Sequence, residues 1–111
     1  MTEAELQDAI ADMARTFGWM VAHARPARTN RGWRTPWQYD GKGFPDLTMV
    51  RRERLIFAEL KAARGRVAPE QHTWLSCLRR TYAEVYVWTP EHWLDGVVDE
   101  VLRPEAQAAA A

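Results

Sequence analysis

Two runs rich in β-forming residues, Leu47–Val50 and Leu55–Leu60, are separated only by Arg51-Arg52-Glu53-Arg54. Four residues can close an antiparallel hairpin, whereas a parallel pair needs a crossover of about a dozen residues or more. The loop length also fixes the register. With all four charged residues in the loop, Val50 pairs with Leu55, and counting outward sets Asp46 opposite Glu59. Directly opposed residues carry Cβ atoms about 4.5–5.5 Å apart on one face of a sheet. Two carboxylates at that spacing repel unless a proton or a cation lies between them. Strand alternation returns Lys61 to the face of Glu59. The hairpin is thus expected to gather two acids and one ammonium at one end of a sheet. That oxygen-rich donor set suits a hard divalent cation, Mg²⁺ or Mn²⁺, which can polarise a phosphodiester and acidify bound water.

The remaining elements follow from periodicity and caps. Leu6, Ile10, Met13 and Phe17 form one helical stripe, and Thr2 with Glu5 makes a capping-box pattern, so a helix is expected from Thr2 to Phe17 with Gly18 as its stop. Trp19–Ala24 reads as a short strand. Pro69 suits the first turn of a helix running to about Tyr82, with Trp74, Leu75, Leu78 and Tyr82 inward. Glu84–Trp88 is a fourth strand, Thr89-Pro90-Glu91 opens a short helix, and Val97–Leu102 adds another turn or two. Residues 1–103 are expected to form a single domain, with 104–111 a frayed tail. The order is α-β-β-β-α-β, an α/β domain with a mixed four-stranded sheet flanked by helices. Trp74, Trp88 and Trp93 are expected in the core, with Trp19 either core or edge. Cys77 reads as small packing near a helix's core face, and His72 and His92 as surface residues.

Residues 25–43 lack apolar periodicity and carry Arg25, Arg28, Arg31, Arg34 and Lys42 among Trp33, Trp37 and Tyr39. A structureless loop of about 19 residues is expected here, a length that usually signals function or disorder. The formal net charge of the chain is zero, which would argue against a polyanionic partner, but the charges are segregated. From Arg15 to Arg80 there are 12 Arg and 2 Lys against 5 acids, and the two ends hold Arg103 against 10 acids. A basic middle of this kind favours nucleic acid, and arginine suits bidentate phosphate contacts. Arg28, Arg31 and Arg34 are candidate phosphate contacts, as are Arg64 and Arg66 beyond Lys61. Trp33 and Trp37 either stack on unpaired bases or pin the loop to the domain. A lone cysteine excludes a disulfide framework and a cysteine-based zinc site. No apolar run reaches the length of a membrane span, and the acidic start does not fit a secretory signal, so a cytoplasmic location is expected.

Gly43-Phe44-Pro45-Asp46-Leu47, followed by Glu59-Leu60-Lys61 and then by Gln71 with Trp74-Leu75, resembles the PD-(D/E)XK nuclease superfamily. Within it, the chain resembles the virus-type replication and repair nuclease (VRR-NUC) domain, in the small stand-alone form found in phages. The resemblance spans Thr2 to Leu102. It implies a restriction-endonuclease-like core, with Asp46 and Glu59 as metal ligands and the Leu60 carbonyl completing the shell. It makes Lys61 the catalytic lysine and Gln71 a residue lining the site. An assisting acid on the first helix falls on Glu3, which shares its face with Gln7, rather than on Glu5. The implied activity is Mg²⁺-dependent endonucleolytic cleavage of branched or nicked DNA, like a Holliday junction resolvase or a nickase. The implied enzyme is a homodimer, in the host cytoplasm if phage-encoded. Residues 25–43 lie outside the minimal core. The competing readings are a non-catalytic DNA-binding module and a nuclease subunit that needs a partner. His23, ending the first strand, reads either as structural or as a neighbour of the site.

Overall fold

A computed structural model describes residues 1–24, 27–35 and 37–105, with only the backbone of 27–29. Helix α1 (Glu3–Thr16) begins where the sequence places its cap: Thr2 Oγ1 accepts from the Glu5 N–H, and Glu5 Oε1 accepts from the Thr2 N–H. Strand β1 (Met20–His23) follows a left-handed Gly18. Strands β2 (Ala27–Thr29) and β3 (Gly32–Arg34) pair only with each other. Strands β4 (Leu47–Arg51) and β5 (Arg54–Leu60) form the hairpin. Helix α2 (Pro69–Leu78) crosses over to β6 (Glu84–Trp88), and α3 (Pro90–Leu94) and α4 (Val97–Leu102) close the domain. The main sheet runs β1-β4-β5-β6, antiparallel except for the parallel β5–β6 pair that the α2 crossover requires. The expected mixed four-stranded sheet flanked by helices is the observed one.

The core lies between the sheet and the layer made by α1, α3 and α4. Leu6 and Ile10 from α1 meet Leu47, Met49, Ile56, Ala58, Leu60 and Trp88 from the sheet, with Val98 and Leu102 from α4. Trp19 joins this core, and its buried indole N–H donates to the Leu102 carbonyl at 2.9 Å. A buried indole needs such a partner, so the bond settles Trp19 as core rather than edge. Trp88 is fully buried, and Trp93 packs against the core from α3. Across from Trp19, the Arg54 guanidinium stacks on its ring and donates two hydrogen bonds to Glu84. That far end of the sheet thereby pairs Arg54 with Glu84 over the Trp19 ring.

Six expectations need correction, the first being Trp74, which is half-buried against Phe44 on the face of the sheet away from the core cluster. The hairpin ladder continues through an Arg51–Arg54 pair, so the loop is Arg52-Glu53, with Arg52 in the left-handed region. The register is unchanged because the extra pair is added symmetrically. Residues 25–43 are not wholly a loop: they contain the β2–β3 ribbon. Helix α2 ends at Leu78 and not near Tyr82, because the Thr81 hydroxyl donates to the Leu78 carbonyl and accepts from the Ala83 N–H. This local bonding competes with continuing the helix, and it leaves Tyr82 exposed. On α1 the stripe closes with buried Ala14, while Met13 is only half-buried. Cys77 is exposed, on the side of α2 away from buried Leu75.

Candidate active site

Alternation along β4 and β5 divides the hairpin between two environments. Leu47, Met49, Ile56 and Ala58 face the core, and Thr48 and Phe57 form a pair on the opposite face. Asp46 and Glu59 continue that second face at the end of the sheet. The observed ladder, from Arg51–Arg54 to Leu47–Ala58, carries the register the loop length predicts. Asp46 sits one step before β4, and its Oδ2 accepts from the Leu60 N–H at 2.8 Å. That bond fixes one carboxylate beside the strand bearing the other.

Glu59 is the one buried charged or polar residue among the described residues, at 1% exposure. Its Oε2 accepts from Gln71 Nε2 at 2.6 Å and lies 3.2 Å from Lys61 Nζ. Its Oε1 has no hydrogen-bond partner. An unsatisfied carboxylate oxygen in a buried setting is costly and is an aim point for a cation. Burial pushes the Glu59 carboxyl up to about 7; repulsion from Asp46 adds to the rise, and Lys61 opposes it.

The backbone also supports the site. Gln71 Oε1 accepts from the Ala68 N–H at 2.8 Å, so one amide caps the start of α2 and presents its NH₂ to Glu59. Pro69 begins that helix and places Gln71 in its first turn. The Lys61 N–H donates to the Trp88 carbonyl, which extends β5–β6 pairing under the lysine. Phe44, from the Gly43-Phe44-Pro45-Asp46 motif, packs edge-on against Phe57 and Trp74. Trp74 in turn donates its indole N–H to the Asp40 carbonyl. These contacts clamp the chain entering Asp46 against α2. Gly43 is left-handed, and a Cβ there would lie 2.6 Å from the Glu70 carbonyl carbon. Only glycine permits that approach.

A cleft of about 310 Å³ opens over Asp46 and Leu60, lined also by Glu3, Gln7, His23, Thr35 and Trp37. Glu3 reaches this cleft while Glu5 is held in the helix cap, which separates the two acids as the face argument expects. Among the described residues no three His, Cys, Asp or Glu side chains cluster closely enough to enclose an ion, so Glu3 stands at the rim rather than in a shell. His23 Nδ1 lies 2.8 Å from the Asp46 carbonyl oxygen. A carbonyl can only accept, so the proton is on Nδ1. His23 therefore braces the Asp46 backbone, the site-neighbour reading of that residue. Gln7 and Thr35 line the cleft, yet neither is marked by a motif; only spacing from Glu3 hints at Gln7.

The proposed DNA contacts are dispersed. Trp37 packs on Phe44 and fills the space beside Gly41, which favours pinning, although it is still 41% exposed. Trp33 is 64% exposed. Arg31 and Arg34 are exposed on the ribbon, and Arg64 and Arg66 are exposed on the connection after Lys61. Arg28 lies opposite Trp33 in the ribbon ladder; its side chain, Arg25 and the tail from 106 to 111 lie outside the described residues.

Asp46 and the buried Glu59 offer carboxylate oxygens of the kind a divalent cation takes when water or phosphate oxygens complete its shell, and the Leu60 carbonyl would complete the set that the resemblance implies. The orphaned Glu59 oxygen fits such an ion. A family model described as the VRR-NUC domain matches residues 21–90, more than half of the chain. No curated protein and no solved structure matches it.

Proposed function

The chain belongs to the VRR-NUC domain family, a nuclease-type family, and from that premise we propose that it is a Mg²⁺-dependent DNA endonuclease, with Mn²⁺ able to substitute. The observation that carries this reading is the buried Glu59 carboxylate, with one oxygen unpartnered and the other held by Lys61 and Gln71, beside Asp46. A structural ion pair would satisfy both oxygens. This one leaves an oxygen without a partner while a second acid repels the same carboxylate.

In the proposed reaction a water oxygen bonds to phosphorus and one bridging P–O bond breaks, the leaving oxygen taking a proton. Asp46 and Glu59 would hold the cation with the Leu60 carbonyl, and the cation would supply positive charge to the phosphate and a more acidic water. Lys61 is placed to orient the attacking water or to offset charge developing on the phosphate. Gln71 sets the Glu59 rotamer by holding one oxygen. Glu3 stands where it can accept a hydrogen bond from water entering the cleft. Arg28, Arg31, Arg34, Arg64 and Arg66 contact phosphates and Trp33 contacts bases or sugars, while Trp37, packed on Phe44, holds the segment in place.

The finer reading takes branched or nicked DNA as substrate and a homodimer as the acting form, which suits paired nicks across a two-fold junction. Cleavage of four-way junction, flap, nicked and single-stranded DNA with Mg²⁺ tests it. Preferred cutting of the junction, lost in Lys61→Ala with DNA binding retained, is the expected result. Equal weak cutting of all four substrates would remove the junction preference. An inactive wild type across divalent metals that still binds DNA would identify a binding module, and activity restored by a second protein would identify a partner-dependent subunit.

A further inference from the structure

The β2–β3 ribbon is built unlike the rest of the molecule. Its strands have three residues each and pair as Ala27–Arg34, Arg28–Trp33 and Thr29–Gly32 around an Asn30-Arg31 turn. They join neither the main sheet nor the core cluster. Isolated two-stranded hairpins are marginal in water, so a ribbon retained in this form implies an external surface that completes it. Its charge names that surface. From Ala24 to Tyr39 the chain holds four arginines and no acid.

Alternation distributes these groups around the ribbon. Trp33 and the register position of Arg28 share one face, Arg34 takes the opposite face, and Arg31 sits at the tip. A ribbon lying flat on one strand of phosphates would need cations on one face only. Exposed Trp33 on one face, Arg34 on the other and Arg31 at the tip instead match a slot walled by nucleic acid on both sides. Two backbones about 4.8 Å apart with side chains exceed a minor groove about 6 Å wide but fit a major groove about 12 Å wide. The ribbon is also continuous with the acid site. A concave surface of about 640 Å³ is lined by Trp33, Arg34, Thr35, Trp37 and Lys42, and Thr35 and Trp37 also line the cleft over Asp46.

We propose that the β2–β3 ribbon is an arm that enters the major groove of duplex DNA flanking the bond to be cut, an inference that rests on the nuclease reading above. Insertion sets phosphates against Arg31 and Arg34 and puts the exposed Trp33 ring against sugar or base edges. Because the arm carries no acid and no carboxamide apart from Asn30 in the turn, it positions the duplex through its backbone more than it reads sequence.

Dimethyl sulfate footprinting of a four-way DNA junction bound to the Lys61→Ala chain tests this. The reagent reports guanine N7 in the major groove and adenine N3 in the minor groove. The expected result is N7 protection in a duplex arm beside the position the wild type cuts, with adenine N3 still reactive. Adding Arg31→Ala, Trp33→Ala and Arg34→Ala should abolish that protection and raise Kd at least about tenfold at moderate salt, consistent with loss of phosphate contacts. Thermal melting of this variant should match its parent. N7 protection that persists in the variant, protection confined to adenine N3, or a lowered melting temperature would each overturn the arm. A wild type that cuts junctions, with its Lys61→Ala form bound but N7 unprotected, overturns the arm alone. No cutting and no binding would overturn the nuclease reading as well.

Discussion

The β4–β5 hairpin and the β2–β3 ribbon are both short antiparallel pairs closed by two-residue turns, and they differ in almost everything else. The first is packed on the core on one face and holds a buried, crowded carboxylate on the other. The second leaves its described side chains in solvent, with Arg31 at the tip and Arg34 and Trp33 on opposite faces. Charge is expensive in the first setting and cheap in the second. Chemistry that requires an activated group belongs in the expensive setting, where desolvation strengthens every electrostatic contact. Long, adaptable contacts to a polyanion belong in the cheap one.

Substitutions at the two sites should therefore separate cleavage, stability and binding. The largest effect is expected for Asp46→Asn, which removes one of two anionic ligands: cleavage should fall on the order of 10³-fold, with DNA binding kept. Near-normal cleavage by this variant in a Mg²⁺ assay would contradict the site.

Glu59 gives a stability effect of known sign. Its carboxyl is raised from 4.5 to about 7 in the fold, so the folded state binds a proton that the unfolded chain has released. That contribution is fully present below pH 4.5 and is lost as pH rises through about 7. At pH 8 without metal, the buried charge costs on the order of 3 kcal/mol. Glu59→Gln should then melt higher than the wild type at pH 8 and the same at pH 4. Mg²⁺ should close the gap at pH 8 by stabilising only the wild type. Parallel melting curves across pH, with or without the ion, would show that the carboxylate is not strained.

Gln71→Ala tests the link between helix cap and site. It strands the Ala68 N–H and releases Glu59, so a loss of about 1 kcal/mol in denaturant unfolding should accompany at least about tenfold slower cleavage. A stability loss with an unchanged rate would make Gln71 a cap only. The smallest stability effect belongs to the ribbon. Trp33→Ala should change unfolding free energy by less than about 0.5 kcal/mol. Arg28→Ala, Arg31→Ala and Arg34→Ala together should flatten the salt dependence of DNA binding by up to about 0.9 log unit per lost phosphate contact. An unchanged slope would mean that the ribbon does not touch the backbone.

The hairpin was readable because four consecutive charged residues between apolar runs leave few registers, and adding a pair symmetrically at its turn shifts none of them. The ribbon was not, since Ala27-Arg28-Thr29 and Gly32-Trp33-Arg34 carry no apolar alternation to read, and β3 is exposed throughout. The end of α2 also escaped, because the Thr81 hydroxyl competes with a helix that Leu78 and Tyr82 would otherwise continue. Glu3 could be ranked above Glu5 because it shares a helix face with Gln7, and both of these line the cleft over Asp46.

The sequence alone determined the order of elements, the pairing of β4 with β5, and the facing of Asp46 and Glu59, all of which follow from local spacing and the two-residue period of a strand. Tertiary structure decided how those acids behave. The depth of Glu59, the oxygen it leaves unpartnered, the Gln71 amide shared between cap and site, and the His23 brace under Asp46 each join residues distant in the chain. Desolvation and hydrogen-bond geometry depend on what surrounds a group in space, and no local spacing encodes that.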